Sequence, residues 1–168
     1  MRTLRAFVVV ALLAIAVFAG YWIFARRSST LPGDTLAIYY TKTDGETLAK
    51  WNVSLNPNAR DIASVAFYAT AQTVAGPPPD VAAIRFPSGT IARAAHVSGS
   101  TVAVDLGGAV VSPQDGSFTE SGEFKALVWT LTSLPGINAV QVEIDGARVA
   151  TLPGGHLELD EPLTRQSF

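Results

Sequence analysis

The chain predicts an α+β fold, a single compact domain with a mixed sheet and two main helices, preceded by one N-terminal transmembrane helix. Three observations carry this. Residues 126–146, ALVWTLTSLPGINAVQVEIDG, run from a helix-period apolar face through a Pro-Gly stop into a strand-period run and an Asp-Gly turn. Helical and strand patterns then alternate irregularly with several direct hairpins, which favours a mixed sheet with helices on one face over repeated βαβ units. Finally, Ala6–Ala25 holds no charged residue over 20 positions. As a helix rising about 1.5 Å per residue, that segment is roughly 30 Å long, the apolar thickness of a bilayer.

Residues 1–27 read as the anchor. Arg2 and Arg5 precede the apolar run, Tyr21 and Trp22 sit near its far end where amphipathic aromatics meet an interface, and Arg26-Arg27 closes it. Val17-Phe18-Ala19 offers small residues to a signal peptidase, but the run continues beyond it, so an uncleaved signal anchor is expected. Two arginines flank each side and barely set the orientation. The extreme N-terminal position ahead of a large domain favours the domain outside. Ser28–Asp34 is a linker.

The domain is expected over 35–152. Thr35–Thr41 and Glu46–Val53 read as strands joined across Asp44-Gly45. A helix follows, capped by Asn56, with Pro57 at its first position and Gly76-Pro77 as its stop. Its inner face is Ile62, Val65, Ala66 and Ala69. Pro77-Pro78-Pro79-Asp80 is a stiff connector, and Val81–Phe86 leads into the turn Pro87-Ser88-Gly89. Thr90–Val97 and Thr101–Leu106 form a second hairpin across Ser98-Gly99, with Val102, Val104 and Leu106 inward. After the loop 107–116, a second helix starts near Ser117, whose spacing to Glu120 suits a capping box. Its stripe is Phe124, Leu127, Val128 and Leu131, extended by Leu134. Ile137–Ile144 is a strand that turns at Asp145-Gly146 into Ala147–Leu152. From Pro153 to Phe168 a flexible tail is expected.

Charge and composition exclude several functions. With Arg2, Arg5, Arg26 and Arg27 set aside, 8 basic residues face 14 acidic ones, a net of about −6. A nucleic-acid module needs the opposite balance, so no nucleic-acid partner is expected. The chain has no cysteine, which removes lipid anchoring through a thiol, disulfides and thiolate chemistry.

Catalytic constellations are missing as well. His96 lies on a strand and reads as a surface or half-buried residue, while His156 falls in the tail, a poor position for a general base. No Gly-x-Ser-x-Gly elbow, His-Glu-x-x-His pair or phosphate-cradling loop occurs. Asp105, Glu120 and Glu123 can meet near the 107–116 loop, as acid pairs do in glycoside chemistry. Solvated surface acids, and helix-start acids favoured by the dipole, account for them more simply. No catalytic, cofactor-binding or metal-ligating residue is expected, and the protein reads as a non-enzyme. Trp51, in the first hairpin near Tyr39 and Tyr40, and Trp129, turned about 140° from Phe124 around its helix, are the candidate partner or glycan surface. Burial against a second layer is the competing reading of both.

Four pieces of the chain are together similar to one family. They are the opening strand LAIYYT, the helix stop Ala75-Gly76-Pro77, the segment IRFPSGTIARAAHVSGSTVAVDLG and the run LVWTLTSLPGINAVQVEIDG. In this order, over roughly two thirds of the chain, they resemble the GerMN domain, a sporulation and spore-germination module also found in mycobacterial-type lipoproteins. The resemblance implies an extracytoplasmic α/β domain of cell-envelope proteins and carries no established catalytic residues. The expected function is a membrane-anchored, extracytoplasmic, non-catalytic interaction or scaffold module that binds an envelope protein, with its oligomeric state left open. The alternative is a peptidoglycan-associated binding factor or an accessory to wall hydrolases.

Overall fold

The computed structural model describes residues 33, 35–55, 59, 61–112 and 116–168. The expected anchor and the expected cap Asn56-Pro57 lie outside the described residues. Among those described, no helix is long and apolar enough to cross a membrane.

The α+β class is observed, with two sheets where one was expected. β1 (Thr35–Thr41) and β2 (Leu48–Ser54) form a two-stranded antiparallel sheet. The second sheet runs β3-β4-β5-β6, from β3 (Thr90–Ser98), β4 (Thr101–Gly108), β5 (Ala139–Ile144) and β6 (Ala147–Arg148). It is mixed, because β4 and β5 pair in parallel while the other two pairs are antiparallel. The β3–β4 hairpin turns through Gly99-Ser100, one residue later than expected, and Gly99 has φ +60°. Val102, Val104 and Leu106 align with Val140, Val142 and Ile144 across β4 and β5, and all six are buried.

The first helix, α1 (Ile62–Ala75), starts at Asp61 rather than near Asn56. The Asp61 carboxylate accepts from the Ser64 backbone N–H at 2.9 Å, and the Asp61 N–H donates in turn to the Ser64 hydroxyl oxygen at 3.1 Å. This reciprocal pair satisfies two amides that have no partner inside the helix. Gly76, at φ +82°, ends the helix as expected. Val65, Ala66 and Ala69 are buried, and Ile62 is half-buried.

The second helix, α2 (Ser117–Leu131), is the centre of the molecule. Phe124, Leu127, Val128 and Leu131 are fully buried, as their spacing predicts. A second stripe, Gly122, Ala126 and Thr130, lies about 150° away at 100° per residue and is buried too. It faces β1: the Thr41 hydroxyl donates to the Gly122 carbonyl at 2.7 Å, and the Tyr39 N–H donates to the Thr130 hydroxyl at 2.9 Å. The small stripe lets β1 approach closely, so α2 serves both sheets. The expected capping box is absent. Gly116 occupies the cap without a side-chain bond, and Glu120 turns inward.

The tail also differs from expectation. Leu152, Leu159 and Leu163 are buried in the core, and Leu163 makes an isolated antiparallel bridge to Val140 on the outer edge of β5. A short 3-10 turn, Arg165–Ser167, follows, capped by the Thr164 hydroxyl. Three spaced leucines bury enough apolar surface to fix a segment that its glycine, proline and charge content marked as loose.

Candidate functional site

The carboxylates expected near the 107–116 loop are held by different partners. Asp105 sits on β4, where the β-bulge between Ala92 and Ala94 turns Arg93 toward it. The Arg93 guanidinium lies 3.4 Å from Asp105 and 2.7 Å from Asp145, and Asp105 also accepts from the Gly146 N–H at 2.8 Å. Asp145 is at φ +50°, and Gly146 at +80°. Arg93 and Asp105 thus clamp the left-handed Asp-Gly turn that joins β5 to β6. The chemistry here is structural: an ion pair and a turn.

Glu120 and Glu123 correct the reading of solvated helix-start acids, with 0 % and 1 % exposure respectively. One Glu120 oxygen accepts from the His156 N–H at 2.7 Å and the Leu157 N–H at 3.4 Å, while the other oxygen is buried without a hydrogen-bond partner. Gly155 packs against this carboxylate, where any larger residue would collide. A carboxylate in the first turn of α2 therefore grips the main chain of the tail. The signal for this was present in the spacing. Glu120 precedes Phe124, Leu127 and Leu131 by 4, 7 and 11 residues, so it stands on the apolar stripe itself.

The two tryptophans are placed differently from one another. Trp51, on β2, is 44 % exposed between exposed Lys50 and Asn52. Trp129 is half-buried under the tail. The Phe168 ring meets it edge to face at 6.2 Å between centroids, and the Lys125 ammonium and Arg165 guanidinium each lie 5.7 Å from its centroid. Arg165 also donates to the Thr132 hydroxyl at 2.8 Å. Trp129 stands off the apolar stripe of α2, and its own C-terminal segment covers it.

Two clefts border the tail. One, of about 590 Å³, is lined by His156, Glu158, Asp160, Glu161 and Leu163 among others. The other, of about 430 Å³, separates Thr132, Ile137 and Asn138 on the body from Thr164, Arg165 and Gln166 on the tail. Both histidines are exposed. Among the described residues, no cluster of three or more His, Cys, Asp or Glu side chains is arranged to hold a metal ion. Burial pushes the Tyr40 phenol up to about 12, against the opposing effect of nearby Arg85, and its hydroxyl donates to the Gln72 carbonyl at 3.2 Å. Hydrogen bonds from Thr47 and Glu46 hold Asp44 below the usual carboxylate value, and those from Ser64 do the same for Asp61.

Comparison with known proteins agrees with this fold. The first GerMN domain of the sporulation protein GerM from Bacillus subtilis superposes with a TM-score of 0.62 at 19 % identity, covering 79 % of this chain and 98 % of that one. A Clostridium perfringens chain described as a lipoprotein matches with a TM-score of 0.57 at 18 % identity, covering 82 % and 94 %. The tandem GerMN domains of Bacillus subtilis GerM match with a TM-score of 0.60 at 18 % identity, and there this chain spans 45 % of the two-domain protein. No curated protein matches the chain. The profile of the Germane family, described as sporulation and spore germination, matches residues 37–150. Since that match takes in both sheets and both helices, the chain belongs to the Germane (GerMN-type) family.

Proposed function

We propose that the protein is a membrane-anchored, extracytoplasmic, non-catalytic interaction module of the bacterial cell envelope. The observation that supports this reading best is the arrangement along the chain. An uncharged run, Ala6–Ala25, stands between pairs of arginines, a short linker follows, and a Germane domain comes next. The domain's described carboxylates Asp105 and Glu120 serve a turn and a tail rather than an open cleft. The test is a protease-protection assay on membrane vesicles carrying the chain with a C-terminal tag, followed by crosslinking and capture of the intact embedded protein. Pelleting with membranes, with the tag on the outer side, is expected. Release by carbonate, or a tag protected on the cytoplasmic side, would sink the reading.

A second reading draws on Trp51. An exposed indole between Lys50 and Asn52 is a stacking platform for sugar rings. Retention of the protein on purified glycan strands, lost in Trp51→Ala, would favour peptidoglycan binding over a protein partner.

A further inference from the structure

The tail divides into a root and a tip. The root, from Leu152 to Leu159, is held by two buried leucines and by the Glu120 carboxylate. The tip, from Leu163 to Phe168, is held by one buried leucine, an isolated bridge, one side-chain hydrogen bond, the Arg165 guanidinium over Trp129 and the aromatic contact. Between them Asp160, Glu161 and Pro162 are all exposed. This exposed link separates the contacts of the tip from those of the root.

What the tip covers is a sheet edge with pockets. Val140 presents both its N–H and its carbonyl outward, paired with Leu163 at 2.9 and 2.8 Å. At the next outward position the Val142 carbonyl is bonded not by tail main chain but by the Gln141 side-chain amide at 3.1 Å. That amide also donates to the Leu159 carbonyl at 2.9 Å, and its own oxygen is buried without a partner. Beside this edge lie the Leu163 seat, the Thr132 hydroxyl and the Trp129 face. An open cleft of about 430 Å³ remains between Thr164, Arg165 and Gln166 of the tip and Thr132, Ile137 and Asn138. The family match ends at residue 150, before any of these tail residues.

We infer that Leu163–Phe168 is a displaceable plug in a strand-docking slot, formed by the outer edge of β5 and the Trp129 face. The natural occupant is an extended segment of a partner protein carrying an aliphatic residue, an arginine two positions later and an aromatic three beyond that. The aliphatic residue takes the Leu163 seat and exchanges two backbone bonds with Val140, which gives affinity, while the arginine and aromatic select the partner. The arginine lies against the Thr132 hydroxyl and the indole, and the aromatic packs edge to face with Trp129. The tethered tip competes at about millimolar effective concentration, so the slot is closed until a better-fitting segment arrives. The identity of the occupant as a natural partner rests on the interaction-module reading; the existence of the slot does not.

The test uses the full chain in detergent, a version ending at Asp160, and a labelled synthetic peptide of the sequence EPLTRQSF, with binding read by anisotropy. The shortened chain should bind the peptide at least tenfold more tightly than the intact chain. A scrambled peptide, or one N-methylated at leucine so that it cannot donate to the Val140 carbonyl, should not bind. If the shortened chain does not fold, intact Arg165→Ala/Phe168→Ala, which loosens the tip, should gain peptide binding in its place. Equal binding by intact and shortened chains, or no binding by a folded shortened chain or the double variant, overturns the plug. A dimer of the intact chain that vanishes on shortening assigns the slot to the tip of a second copy, and overturns the partner segment. A cytoplasmic domain, by contrast, would overturn only the envelope reading and leave these binding results standing.

Discussion

Glu120 shows how one residue can change its role between sequence and structure. Its position suited a capping box, yet its place on the apolar stripe four residues before Phe124 sends it inward, and there it meets the amides of His156 and Leu157. Replacing it with alanine leaves those amides without an acceptor. Loss of such a charged acceptor costs on the order of 1–3 kcal/mol. Urea unfolding of Glu120→Ala should show that loss together with faster proteolysis after residue 153, whereas Glu120→Gln, which keeps one acceptor oxygen, should lose less. Unchanged stability in the alanine variant would remove Glu120 as the tail's anchor. Tyr40 permits a second residue-level test. Its phenol ionises more readily in the unfolded chain, near 10.0, than in the fold, near 12. The raised value favours the protonated folded form, so its contribution is complete below pH 10 and is lost as pH rises toward 12. A phenolate absorbance titration should contain a late component near 12 that is absent in Tyr40→Phe.

Among the elements, α1 and α2 separate what local pattern reveals from what it does not. The stop at Gly76, the β3–β4 hairpin and the Phe124–Leu131 stripe were all legible, because each depends on backbone preference or periodicity within a few residues. The start of α1 was not, since Asn56-Pro57 and Asp61 are both acceptable caps and only the assembled helix selects one. Nor was the second buried stripe of α2 legible. Gly122, Ala126 and Thr130 do not look like a core, and only the approach of β1 from the far side makes them one. At the cap, the Asp61 carboxyl is held below its ordinary 3.8 by Ser64. Its contribution is therefore full above 3.8 and fades as pH falls below it. The difference in melting temperature between wild type and Asp61→Ala should be present at pH 7 and shrink toward pH 2. Along the small stripe, a Cβ on Gly122 would meet the Ile84 side chain. Alanine gains about 1 kcal/mol of helix propensity over glycine. Overpacking typically loses about 1–3 kcal/mol. Gly122→Ala should thus destabilise by up to about 2 kcal/mol alone, and Ile84→Val should recover part of that loss in the double variant.

At the scale of the molecule, the two sheets share no strand, and their coupling passes through the helices. The cover over Trp129, the burial of Leu159 and Leu163 in the tail and the split into two sheets were not legible, because contacts between residues far apart in the chain decide them. The Tyr39–Thr130 and Thr41–Gly122 bonds tie β1 to α2 across 91 and 81 positions of sequence. The opposite stripe of α2 belongs to the same buried core as Val140 and Val142. A helix buried on both faces cannot release one sheet without exposing apolar surface on its other side. The domain should therefore unfold as one unit. Trp51 and Trp129 report on the two-stranded sheet and on α2 respectively. In full-length variants that carry Trp22→Phe and retain only one of the two, the urea transitions should coincide. Ala126→Leu, which forces β1 away from α2, should advance the Trp51 transition to lower urea and leave the Trp129 transition behind it. Separate transitions in the parent protein would mean that the β1–β2 hairpin is an independent flap, and that α2 does not couple the sheets.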